Sequence, residues 1–258
     1  MSQRHPLLAF GTAAAILAGA SAGWGLAGPF GPATAQAAPQ VYEYRVEHPL
    51  YGDIGTYTNI VDQSGDSAEV ETKLNIVVKL LGVVVHRQAA ERREDWEHGR
   101  LTLFRGVTET NGQKMELSGE AHGDTFIIHS PLGQIAAPAN VHPSNPWSAA
   151  VLDTNTVMST KSGKLFAVHV DRETTETVMV EGKPMRLRQV DIKGDKRQFV
   201  WLDDHDVPVA FRTEESGQPI DFVLTRYPSG EPQNWPGPEK ETKTGDGMTL
   251  QQAGFGGY

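Results

Sequence analysis

The chain has 258 residues, 23 Lys+Arg against 32 Asp+Glu, a formal charge of −9 and no cysteine. So acidic a surface repels phosphate backbones, which argues against nucleic acid as a partner. The absence of cysteine rules out disulfide staples, thiolate metal sites, cysteine nucleophiles and the acylated N-terminal cysteine of a lipoprotein.

The N-terminal segment differs in composition from the rest. Arg4 and His5 form a weakly basic start, and from Pro6 to Gly31 there is no charge, with Ala, Gly and Leu dominating. Ala35-Gln36-Ala37 then presents small residues where a signal peptidase reads them. Residues 1–37 are therefore expected to be a secretory signal peptide. The alternative is a retained anchor, because the uncharged run is long enough to span a bilayer. Cleavage removes one Arg and no acid, so Lys+Arg falls from 23 to 22 against 32 Asp+Glu and the charge becomes −10. The expected location is the bacterial periplasm or the exterior, with no transmembrane segment after signal removal. A cysteine-free domain of this size fits that compartment if burial alone stabilises it.

Residues 38–227 read as one β-rich domain. Tyr42, Tyr44 and Val46 alternate with Glu43, Arg45 and Glu47, the period of a strand with one buried face. A second strand follows Pro49, and Gln63-Ser64-Gly65-Asp66 is a turn. Leu74, Ile76, Val78 and Leu80 alternate again and run through Gly82 into Val83-Val84-Val85, where the glycine is expected to mark a bulge or bend. The charged run 89–96 reads as an exposed continuation of that strand, with a helix as the alternative. Glu97-His98-Gly99, Asn111-Gly112 and His122-Gly123-Asp124 then punctuate short strands. Asn-Gly is the strongest of these hairpin signals, since both residues tolerate positive φ.

Pro131, Pro138, Pro143 and Pro146 break the strand rhythm. Asn145 before Pro146 has the form of a helix N-cap and first position, and Trp147, Ala150 and Val151 fall on one helical face. One short central helix is expected, packed into the concavity of the flanking strands. The rhythm then resumes, with turns around Gly182, Gly194, His205 and Gly217 and a bulge expected near Arg188-Gln189. Residues 228–258, rich in Pro, Gly, Glu, Lys and Thr, cannot bury enough apolar surface to order and are read as a disordered tail. The resulting fold class is mainly β: a large curved antiparallel sheet, half-barrel or open barrel, because an open sheet of so many strands curls or splits.

No residue set has the spacing of a catalytic site. There is no Gly-x-Ser-x-Gly, phosphate loop or dinucleotide fingerprint. The histidines outside the signal form no ligating pair, and Asp203-Asp204-His205-Asp206 reads as a turn rather than a calcium loop. No metal, cofactor or catalytic residue is assigned. His142, Trp147, Val151, Trp201 and Phe222 are instead taken as candidates for a ligand pocket on the concave face.

The stretch Phe-Val-Trp-Leu-Asp-Asp-His-Asp-Val-Pro-Val-Ala-Phe-Arg at 199–212 resembles a recurring C-terminal hairpin of bacterial exported families of unknown function. The opening Tyr-Glu-Tyr-Arg-Val with Gly52 and Gly55, and the strand from Gly182-Lys183-Pro184 to Ile192, are similar to theirs as well. The resemblance implies the fold of the lipoprotein carriers, an antiparallel half-barrel around a plug, although this chain has far less helix. The expected function is non-enzymatic: binding of an apolar, lipid-like ligand, or of an envelope protein, in the concave face. The alternatives are a hydrolase with a site near His142 and a structural envelope protein.

Overall fold

The computed structural model describes residues 38–226, except Glu181, Lys196 and Ser216. The signal expected at 1–37 and the tail expected at 228–258 lie outside the described residues. The first strands are β1 (Gln40–His48), β2 (Gly52–Ser64), β3 (Ser67–Leu80) and β4 (Val83–Glu97). β5 (Arg100–Thr110), β6 (Gln113–His122), β7 (Thr125–Ser130) and β8 (Gly133–Pro138) complete the first half. Three short strands follow, β9 (His142–Pro143), β10 (Thr156–Met158) and β11 (Leu165–Ala167). The second half is β12 (His169–Val180), β13 (Lys183–Lys193), β14 (Gln198–Leu202), β15 (Pro208–Glu215) and β16 (Gln218–Arg226).

Thirteen strands form one antiparallel sheet in the order β12-β13-β14-β15-β16-β1-β2-β3-β4-β5-β6-β7-β8. β1 thus lies inside the sheet, paired with β2 on one side and with β16 on the other. β8 and β12 are the two free edges, and the sheet is a half-barrel that does not close. The chain between those edges carries the small sheet β11-β10-β9, in which β9 and β10 are parallel.

Period-two patterning explains the curl. Inward residues of the long strands, among them Tyr44, Val46, Val70, Phe104, Phe126 and Val209, are at most 1% exposed and belong to one continuous core. Each such side chain contributes ~1.5–3 kcal/mol when removed from water. A flat sheet of this width would leave most of them uncovered, whereas a curled one lets distant strands cover each other.

The hairpins follow turn chemistry. Asn111 and Gly112 have φ 51° and 83°, as a type I′ turn requires. Leu81 and Gly82 do the same at φ 51° and 82°, so of the bulge or bend expected at Gly82 the structure has the bend, as a full hairpin turn between β3 and β4. The tip of that hairpin is apolar and open to solvent: Leu81 is 97% exposed, and Leu80, Val83, Val84 and Val85 are exposed beside it. The β12–β13 and β13–β14 registers run unshifted through Arg188-Gln189, and the irregularity lies between Val170 and Arg172 instead.

The expected helix is a single 3₁₀ turn, Ala149–Asp153. Its cap is Ser148, whose Oγ accepts a 3.3 Å hydrogen bond from Ala150 N. Asn145 is not the cap, because its side chain is committed to the buried network described below.

Gly55 lies beside the β-bulge of β2 at Ile54, where a Cβ would stand 1.9 Å from the carbonyl oxygen of Asn75 on β3. The obstacle is backbone and cannot rotate away. Gly55→Ala should therefore lower stability by about 1–3 kcal/mol, the range for overpacking, and thermal denaturation should show the fall in midpoint.

Candidate functional site

The site begins with β4. Its charged run alternates, and Ala90, Arg92, Glu94 and Trp96 face inward and are buried while Glu91, Arg93 and Glu97 are exposed. The expectation of an exposed segment thus holds for one face only. Period two places a guanidinium and a carboxylate inside the half-barrel, and the pairing of β4 with β3 and β5 overturns the helical alternative.

Glu94 is fully buried. Its Oε2 accepts from the indole Nε1 of Trp96 at 3.1 Å and of Trp147 at 3.2 Å. Its Oε1 accepts from Asn145 Nδ2 at 3.1 Å. Asn145 is itself 4% exposed and tied into the sheet: Nδ2 also donates to Thr72 Oγ1 at 2.9 Å, and Oδ1 accepts from the Tyr57 hydroxyl and from Asn59 Nδ2. Thr72 Oγ1 in turn donates to Asn59 Oδ1 at 2.9 Å. β2, β3, β4 and the crossover are thereby joined in one buried polar cluster. Burial raises the Glu94 carboxyl to about 7 against the pull of these donors and of Arg92, and raises the Tyr57 hydroxyl well above its ordinary value.

Arg92 is 8% exposed and burial lowers its pKa. Its Nε is buried with no hydrogen-bond partner, and among the described residues no ion pair holds the guanidinium. It lines a cavity of about 600 Å³. The walls of this cavity are mainly apolar, with Leu74, Ile76, Phe211, Ile220 and Phe222 among them, and Ser144, Ser159 and Thr160 of the crossover form a hydroxyl-bearing side. Val85, at the exposed β3–β4 tip, lines it too.

Of the residues singled out from the sequence, Phe222 lines this cavity, stacked on Phe211 with ring centroids 4.3 Å apart. Trp147 lies behind it, against Trp96, and bounds a separate recess of about 70 Å³. His142 is 5% exposed and packs on the Trp96 ring at 4.7 Å; burial lowers its pKa to about 4, so it is neutral at neutral pH. Val151 is buried within the 3₁₀ turn. Trp201 alternates with the buried Val200 and Leu202, and its Nε1 donates to Glu176 at 2.5 Å. Asp203 Oδ1 accepts from the backbone N–H of His205 and of Val207, each at 2.9 Å, which builds the turn between β14 and β15. Arg92, Glu94, Asn145 and Tyr57 carry the polar chemistry of the site, and the period-two phase through 89–96 was the signal that points to the first two.

An antiparallel half-barrel that encloses an apolar cavity between its sheet and a crossover defines the architectural class. Within that class the chain belongs to a family described as a domain of unknown function, DUF6134, whose model matches residues 52–225. No curated protein sequence matches the chain. Among solved structures it is similar to a β-barrel-like protein of the domain of unknown function DUF1849 from Brucella abortus. The two share 8% identity at a TM-score of 0.50, over 73% of this chain and 96% of that one. That likeness is one of fold. Among the described residues no helix is long and apolar enough to cross a membrane.

The network sets two expectations. Asn145→Ala leaves Glu94, Thr72 and Tyr57 short of a partner inside the core, so it should cost about 3 kcal/mol or more, at ~1–3 kcal/mol per orphaned group; chemical denaturation would measure this. The second concerns pH. Between its ordinary 4.5 and the raised value of about 7, Glu94 holds more proton in the folded than in the unfolded state, so its contribution to stability falls as pH rises. His142 does the opposite between about 4 and its ordinary 6.5, where the unfolded state holds more proton. Glu94→Gln removes the falling limb alone. Relative to wild type, its stability should climb by about 3 kcal/mol from pH 4.5 to 7, as denaturant midpoints across that range would show.

Proposed function

We propose that the protein is an exported binding protein whose half-barrel holds an apolar, lipid-like ligand. The observation that carries this reading is the cavity of about 600 Å³ inside the core, walled by aliphatic and aromatic side chains. It falls in the range of ligand pockets, about 300–1,000 Å³, and like them is walled mainly by apolar side chains. The exposed apolar tip formed by Leu80, Leu81, Val83 and Val84 adjoins Val85 on the cavity wall, which gives an apolar ligand a continuous route from outside. Export and a periplasmic location rest on the signal pattern of residues 1–37. A hydrolase centred on His142 gains no support: the imidazole packs against Trp96 and does not line the cavity.

A neutral, environment-sensitive naphthyl dye tests the reading. It should bind one-to-one with micromolar affinity and be displaced by a long-chain alcohol. Ile220→Trp, which places an indole in the void from a half-buried wall position, should weaken that binding at least tenfold with the thermal midpoint retained. Absence of dye binding to the wild-type protein would overturn the proposal.

A further inference from the structure

Among the described residues, Arg92, Lys161 and Arg212 are the lysines and arginines that line the cavity, and of the three Arg92 alone is buried. Of the β4 residues that line it, Val85, His86 and Gln88 lie toward the exposed tip, and Arg92 stands furthest in. Beyond Arg92 the space ends, because Glu94 and Trp96 are sealed by Asn145 and Trp147 of the crossover. From Val85 to Arg92 the strand advances about 23 Å, at ~3.3 Å per residue, a span suited to a long acyl chain.

A buried guanidinium without a hydrogen-bonded partner is costly, and native proteins rarely leave one. Glu94, two residues on along the same inward face, does not fill the role: its oxygens accept from the two indoles and Asn145, and no ion pair joins it to Arg92. Arg92 therefore stands in the cavity wall with its Nε unpaired. A planar fork of donors at the closed end of an apolar trough matches an oxyanion, which it can engage bidentately.

Building on the apolar-ligand reading above, we infer that the ligand is a long-chain amphiphile with an oxyanion head, bound head-first so that the head meets Arg92 and the chain lies along the trough toward the β3–β4 tip. Glu94 beside the guanidinium disfavours a doubly charged head, so the head is a monoanion, with a fatty-acid carboxylate as the simplest member of the class. The full trough gives affinity to the chain, and Arg92 gives selectivity for the head.

The test compares palmitate, methyl hexadecyl phosphate (a phosphodiester and so a monoanion) and hexadecanol, which share one chain length, as competitors of the naphthyl dye on the wild-type protein. At least one of the two oxyanions should bind tenfold or more tighter than the alcohol, and their relative order identifies the head as carboxylate or phosphate. Arg92→Met should erase the preference over the alcohol and leave the affinity for the alcohol within about twofold. Arg92→Lys, which keeps the charge but not the fork, gives an intermediate ratio and serves if the methionine variant does not fold. Equal affinity of all three for the wild-type protein overturns the head-group inference while the apolar trough stands. Failure of the dye and the alcohol to bind overturns the trough itself.

Discussion

One buried carboxylate ties the two parts of the domain together. Glu94 takes hydrogen bonds from Trp96 on its own strand and from Asn145 and Trp147 on the crossover. Hydrogen bonds to charged groups are worth ~1.5–3 kcal/mol each, and these offset part of the cost of desolvating the acid. The crossover is the only covalent link between the β8 and β12 edges of the sheet. Fixing its midpoint to β4 therefore fixes how far the sheet curls and how much space is left between them.

That arrangement divides the interior into unlike ends. On one side of Arg92, hydrogen bonds between amides, indoles, hydroxyls and Glu94 fill the space and leave no room for a guest. On the other, aliphatic and aromatic walls face each other across the cavity. The polar end is rigid because each member restrains the next, so removal of one donor strands several acceptors. The apolar end has no such directional demands and can accept ligands of varied shape.

The fold was legible in the sequence because its signals are local. Alternation in 42–46 and the I′ turn at Asn111-Gly112 depend on neighbouring residues only, and both appear in the structure as read. Gly82 was harder: an apolar run on both sides of a turn looks like one strand, since the tip residues face solvent against their hydropathy. The family resemblance and the half-barrel agree, but the polar site was hidden. In 89–96, charge density suggests a solvated surface, and only the phase shared with Trp96 places Arg92 and Glu94 inside. Asn145 before Pro146 carries a strong helix-cap pattern, yet the tertiary network to Thr72 and Glu94 overrides it. Such long-range partners leave no mark in a local window.

The position of β1 determines when the sheet can be finished. The first strand of the domain pairs with the last, Glu43 opposite Arg226, and the Tyr44 hydroxyl donates to the carbonyl of Pro208, 164 residues away. Until residues 218–226 are available, β1 has only β2 beside it and the aromatic cluster of Tyr44, Tyr57, Phe211 and Phe222 is half assembled. Closing so long a loop is entropically expensive, and topologies of this kind fold slowly. In a chain made from its N-terminus this part of the core therefore stays open until the last strand is available, and that strand is the one that locks the first.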